Sequence, residues 1–242
     1  MRWHLLVSAG AVALLANGAF AADLALPTHK APPPPAFTWT GCYVGLHAGG
    51  DFGQSKWSDR AGDFIVGTTV GVNTQGAIGG GQAGCNYQLN DNFVVGVEAE
   101  IWGSGLEGTT SVSLNTGNGS RAQFKTWSDA AGDVALRAGY AIDRTLIFGK
   151  VGLAEAQYDY RTTFINTPLP APLLTAGATH TGLLLGVGVE YALDMHWSLK
   201  GEYDYIDYGS ESAEFYYKGV AEFPASFKNE ENVLKVGANY RF

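Results

Sequence analysis

Between positions 197 and 205 the chain alternates with a period of two. Trp197, Leu199, Gly201, Tyr203 and Tyr205 fall on one side, and Ser198, Lys200, Glu202 and Asp204 on the other. A strand sends successive side chains to opposite faces, so this pattern predicts a strand with one apolar and one charged face. The same device recurs at 182–193, where Leu183, Leu185, Val187, Val189, Tyr191 and Leu193 oppose Gly182, Gly186, Gly188 and Glu190. It returns at the end, with Leu234, Val236, Ala238, Tyr240 and Phe242 against Lys235, Gly237, Asn239 and Arg241. Phe93, Val95, Val97, Ala99 and Ile101 oppose Gly96, Glu98 and Glu100; Val134, Leu136, Ala138 and Tyr140 oppose Asp133, Arg137 and Gly139. Three further stretches, 43–49, 77–89 and 145–156, carry Gly and Ala on both sides and read as strands by their spacing. That makes eight.

The connections are unequal. Three are short and alike: Leu89-Asn90-Asp91-Asn92-Phe93, Ile142-Asp143-Arg144-Thr145 and Leu193-Asp194-Met195-His196-Trp197. Four are long and polar, roughly 51–75, 103–123, 157–180 and 207–231. The longest charge-free stretch beyond the N-terminal region, 162–189, is broken by Pro168, Pro170 and Pro172 and is no membrane helix. A chain without such helices crosses lipid only as a closed barrel, which satisfies every backbone group. The expected fold class is therefore all-β. It is an eight-stranded antiparallel transmembrane β-barrel with three short periplasmic turns and four long extracellular loops.

Alternation alone also fits a soluble barrel with its apolar face inward. Glycine decides between the two. Gly96, Gly139, Gly186, Gly188 and Gly237 share the charged face, where a narrow lumen needs room for neighbouring long side chains. Tyr87, Phe93, Tyr140, Tyr191, Trp197 and Tyr240 then gather at the short-turn rim as an aromatic girdle.

The N-terminus reads as an export signal over residues 1–21. Arg2 starts it, 5–16 form an apolar run too short to span a bilayer, and Ala19-Phe20-Ala21 is an A-x-A cleavage site. Residues 22–38 follow as a tether whose four consecutive prolines, Pro32 to Pro35, favour extended PPII. Residues 39–242 are the barrel. Losing Arg2 with the leader takes the formal charge from −8 to −9, which argues against nucleic acid as a partner.

Five motifs, taken in order, carry a resemblance. They are Trp39-Thr40-Gly41-Cys42-Tyr43-Val44-Gly45, Gly96-Val97-Glu98-Ala99-Glu100, Arg137-Ala138-Gly139-Tyr140-Ala141, Gly186-Val187-Gly188-Val189-Glu190 and Asn239-Tyr240-Arg241-Phe242. The chain resembles the small eight-stranded barrels of Gram-negative outer membranes labelled outer membrane immunogenic protein or porin family protein. That resemblance covers essentially the whole mature chain. It implies residence in the outer membrane and insertion by the barrel assembly machinery, with terminal Phe242 as the recognition signal. Outer-membrane lipid and lipopolysaccharide are the implied surroundings.

The main polar constellation is Glu98, Glu100, Arg137, Lys150, Glu190, Lys200, Glu202, Lys235 and Arg241, all expected in the lumen. It reads either as the lining of a selective pore or as an ion-pair plug in a filled interior, and for eight strands the plug is preferred. Cys42 and Cys85 face lipid near the short-turn rim, at positions where similar chains carry aromatics. They form either a cross-strand disulfide, as the periplasm permits, or two thiols that the register keeps apart.

Gly79-Gly80-Gly81-Gln82-Ala83-Gly84 matches G-x-G-x-x-G but lies inside a strand with no helix after it, so no dinucleotide site is expected. His47 and His180 lack a second ligand at metal spacing, and no catalytic, cofactor or metal site is expected. Haem binding through His180 or loop tyrosines is a minority reading that the resemblance suggests. The expected function is non-enzymatic: a structural surface protein that supports envelope integrity and exposes its four long loops outside the cell. A narrow porin is the alternative, and a receptor for an extracellular ligand such as haem is the third reading.

Overall fold

The computed structural model describes residues 37–59, 69–113, 120–165, 173–217 and 220–242. The expected signal segment and most of the expected tether lie outside them. Eight strands form one antiparallel sheet closed on itself: β1 (Gly41–Asp59), β2 (Thr69–Gln88), β3 (Phe93–Ser113), β4 (Arg121–Ile142), β5 (Thr145–Ile165), β6 (Leu173–Ala192), β7 (Trp197–Tyr217) and β8 (Val220–Arg241). Each pairs with its neighbour in sequence, and β1 closes the ring on β8, with Tyr43 opposite Arg241 and Lys56 opposite Lys228.

The short turns are held by acceptors at fixed places. Asn90 Oδ1 accepts from Phe93 N at 3.0 Å in the β2–β3 turn, and Asp194 Oδ1 accepts from His196 N and Trp197 N at 2.7 and 2.8 Å in the β6–β7 turn. The β4–β5 turn has only Asp143 and Arg144 between its strands; Asp143 takes φ 53°, the left-handed geometry that two-residue hairpins require.

The expectation of four long loops is corrected. Strands of 19 to 22 residues run deep into each of those ranges, and what separates them is residues 60–68, 114–120, 166–172 and 218–219, all but Ser120 outside the described part. The reason is a change of sign in the alternation. Low on β5, Ile147, Val151 and Leu153 face outward and Lys150 inward; higher up, Glu155, Gln157 and Arg161 face outward while Tyr158, Tyr160 and Phe164 face inward. On β8, Tyr240, Val236 and Leu234 point out around inward Arg241, Asn239 and Lys235, whereas higher up Phe227 and Ala225 are buried between Lys228 and Ser226. The lower half thus presents an apolar belt about ten residues tall along each strand, the span of a membrane strand. The upper half has a wet outer face, so its apolar residues turn inward as in a soluble protein. Trp57, Val72, Phe124, Tyr160, Phe215 and Phe227 form its core.

At the turn rim the expected girdle faces outward, and its rings pair edge-on: Phe93 with Tyr140 at 5.3 Å, Trp197 with Tyr240 at 5.2 Å. Gly186 and Gly188 show why glycine sits on the charged face. A Cβ at Gly186 would overlap the Asp204 carboxylate and the Lys150 stem, and one at Gly188 would overlap the Phe148 ring.

Candidate functional site: the charged lumen

The membrane half of the lumen is filled in layers. At the turn end, Trp39 is buried in the mouth, with its indole N–H donating to Asp143 O at 3.4 Å and its amide N–H to Gln88 Oε1 at 2.8 Å. Arg241 packs over Phe37 and Trp39 at 4.7 and 4.9 Å and donates to Thr38 O at 2.9 Å. Of the nine residues expected to form one cluster, Arg241 is the one that stands apart, capping the mouth without an ion pair among the described residues.

Above it, Arg137 reaches Glu190 at 2.9 Å and Glu98 at 3.3 Å, with its guanidinium 3.9 Å over the Phe148 ring. Arg137 also donates to Tyr43 OH at 2.6 Å, and that hydroxyl donates to Glu98 at 2.6 Å. Glu190 accepts further bonds from Ser198 Oγ at 2.5 Å and Asn239 Nδ2 at 2.9 Å. A chain of amides continues sideways: Gln82 donates to Asn239 Oδ1 at 2.7 Å and meets His47 Nδ1 at 2.6 Å.

The next layer holds three ammonium groups in a cage of carboxylates. Lys150 meets Glu202 at 2.6 Å and Glu100 at 3.3 Å. Lys200 meets Glu100 at 2.7 Å, Glu202 at 2.9 Å and Glu98 at 3.2 Å. Lys235 meets Asp204 at 2.6 Å, Glu202 at 3.1 Å and Glu100. The carboxylate oxygens of Glu98, Glu100 and Glu202, and those of Glu100, Asp133 and Asp204, lie within 4.8 Å of one another, a spacing that could hold a metal ion. The lysine ammoniums already stand among these oxygens as the cations.

Higher still, Glu231 accepts from Tyr158 OH and from Tyr208 OH at 3.4 Å. Tyr160 OH then contacts His180 Nε2 at 2.8 Å and accepts from Asn229 at 2.7 Å. Trp57, packed edge-on against Phe124, Tyr160 and Phe227 at 5.0 to 5.4 Å, closes the column. His47 and His180, the histidines weighed for a ligand, are both buried inside the lumen.

Sequence reading missed Asp133 and Asp204 as members of the cluster, although both lie on the charged face of strands it had assigned. It missed Asp51, Glu231, Tyr158 and Tyr208 because their positions fell in ranges expected to be loops. The run of inward positions 225, 227, 229, 231 and 233, in phase with Lys235, was the available signal.

At the turn rim, Cys42 and Cys85 stand opposite each other in the β1–β2 register, and their sulfurs are joined. Beside them Phe242 N donates to Cys42 O at 3.0 Å.

Comparison with known proteins fits this architecture. Residues 9–242 match the family model described as outer membrane protein beta-barrel domain. The 31 kDa outer-membrane immunogenic proteins of Brucella melitensis biotype 1 and Brucella suis biovar 1 are each 31% identical over 245 residues, covering 98% of this chain and 98% of the relative. Among solved structures, the outer membrane protease OmpT of Escherichia coli superposes with a TM-score of 0.55 at 11% identity, over 87% of this chain and 99% of that one. That likeness is one of fold alone.

Proposed function

This chain belongs to the outer membrane protein beta-barrel family and resides in the Gram-negative outer membrane, and from that premise we propose that it is a non-conducting, non-enzymatic envelope protein. It braces the membrane and presents an upper barrel to the outside. The observation that carries this reading is the filled lumen. The Arg137 layer, the lysine–carboxylate cage and the Trp57 aromatic core follow one another along the axis, and their side chains are nearly all buried. Ions would have to break several buried pairs at once to pass. Removing one partner of such a pair costs on the order of 3–5 kcal/mol.

The surface half of the barrel supports the display role. Its walls are strands around an apolar core, so whatever it presents sits on a rigid support. A strain lacking the protein is expected to become more sensitive to detergents and to large apolar antibiotics, with unchanged uptake of small hydrophilic solutes. Slowed solute uptake with an intact detergent barrier would point to a porin instead.

A further inference from the structure

Every β1–β2 pair from Gly45 opposite Gln82 to Asp51 opposite Gly76 contains a glycine. Cross-strand side-chain pairs help to set the register of a sheet, and Gly-rich strands slip because they lack them. The lipid-facing pairs here are Val44 with Ala83, Leu46 with Gly81, Ala48 with Gly79 and Gly50 with Ala77. Elsewhere the same face joins two large partners, as in Val97 with Leu136, Leu153 with Leu183 and Tyr203 with Leu234. No short turn compensates, because residues 60–68 separate β1 from β2. The lumen contacts that favour the correct register come late. Tyr43 OH donates to Glu98 and accepts from Arg137, both at 2.6 Å, so both bonds wait for β3 and β4. The contact of His47 with Gln82 at 2.6 Å lies within the pair, but competes with water until the lumen closes.

β1 is also the strand that closes the ring on β8. A slip of β1 would therefore misplace the seam, where Phe242 N donates to Cys42 O at 3.0 Å. Cys42 opposite Cys85 is the β1–β2 pair that cannot slip once its sulfurs are joined. Both residues face outward, in a hollow lined by Val44, Ala83, Val97 and Phe242. Lipid covers that face in the inserted barrel, so a water-soluble oxidant reaches the thiols only earlier.

We propose that this bond is the register pin of the β1–β2 pair, made before membrane insertion by a soluble dithiol oxidase acting on this chain. A protein bound for the outer membrane crosses the oxidising compartment where such partners work. The Cys42 thiolate attacks the partner's disulfide, and one partner sulfur leaves as a thiolate. The Cys85 thiolate then attacks the Cys42 sulfur of the mixed disulfide and releases the partner as a dithiol. Two electrons and two protons pass to the partner, and β1 and β2 reach the membrane already aligned. The inference rests on the membrane placement of the barrel and is independent of whether the lumen conducts.

Refolding of the full chain from urea into phosphatidylcholine vesicles tests it, with closure followed by the heat-dependent gel shift. The oxidised chain should close roughly tenfold faster than the reduced one, and Cys42→Ser with Cys85→Ser should match the reduced rate. Gly79→Val with Gly81→Val, added to that serine variant, should restore fast closure by giving Ala48 and Leu46 packed partners. A side chain fits there, because a Cβ at either glycine meets nothing closer than 3.5 Å. Gly201→Val, equally unhindered but on β7, should restore nothing. A purified bacterial dithiol oxidase in its disulfide form should oxidise the unfolded chain and leave two alkylatable thiols in the reduced, inserted barrel. Equal closure rates for oxidised and reduced chains would overturn the pin, as would rescue by Gly201→Val as complete as by the β2 pair. Ready oxidation of the inserted barrel would overturn the order of events.

Discussion

Lys150 Nζ stands 2.6 Å from Glu202 Oε1 and lies within 3.7 Å of carboxylate oxygens from Glu98, Glu100, Asp133 and Asp204 as well. One ammonium therefore answers several acids, and the cluster as a whole holds more acids than bases. Removing a base and removing an acid should then have unequal effects. Lys150→Met is expected to cost about 3–5 kcal/mol, the usual loss when a buried charge is orphaned. Asp204→Asn should cost far less, since it relieves repulsion among carboxylates. Urea unfolding in lipid vesicles, followed by tryptophan fluorescence, compares the two. Equal losses would contradict the account of the cage.

The Cys42–Cys85 bond joins residues 43 apart in sequence at the rim where β1 and β2 begin and end. A cross-link over a loop of that length stabilises by about 2–4 kcal/mol, largely by restricting the unfolded chain. Cys42→Ser with Cys85→Ser should lower the urea midpoint by a corresponding amount and leave the heat-shifted gel band of the folded barrel in place. An unchanged midpoint would mean that the register is fully set by the ladder itself.

Gly186 and Gly201 offer a matched pair. A Cβ at Gly186 would overlap Asp204 and Lys150, while one at Gly201 meets nothing within 4 Å. Gly186→Ala is expected to destabilise by about 1–3 kcal/mol through overpacking. Gly201→Ala should be neutral or slightly stabilising, because Gly in a strand carries an entropic penalty. The same unfolding assay reads both, and a larger loss at Gly201 would reverse the assignment of lumen and lipid faces.

Asp194 lies in an exposed turn and accepts backbone bonds from Trp197 and His196, which hold its carboxyl below the ordinary value of 3.8. A depressed folded pKa gives a contribution that is complete above the unfolded value and fades as pH falls through the folded one. The protection factor of the Trp197 amide should therefore stay high at neutral pH and fall only in the acid range below 3.8. In Asp194→Ala it should be low throughout. Identical exchange in the two proteins would sink the idea that this carboxylate closes the turn.

Much of the membrane half was legible in the sequence, because lipid outside and charge inside force a clean alternation, as from Leu234 to Phe242. The same rule hid the upper half. Phe227, Asn229 and Glu231 keep the phase of Lys235, but Lys228 and Glu230 now point outward into water, so the polarity inverts and the pattern resembles an irregular polar loop. The site suffered in proportion. Glu98, Glu100, Arg137, Lys150, Glu190, Lys200, Glu202 and Lys235 were found from the strands below the inversion. Asp51, Tyr158, Tyr208 and Glu231 sit at or above it and were lost. Whether Cys42 meets Cys85 depended on a register that spacing alone does not fix, since a slip of one residue exchanges the two faces of a strand.

Single-channel recording of the mature chain refolded in a planar bilayer tests the central claim most directly, with insertion verified by the heat-dependent gel shift. A filled lumen predicts a silent bilayer, and Lys200→Met with Glu98→Gln, which opens the cage, should introduce current. Discrete, reproducible steps from the unmodified protein, with an ion preference that changes on substitution of Arg137 or Glu190, would contradict the plug and make the lumen a pore.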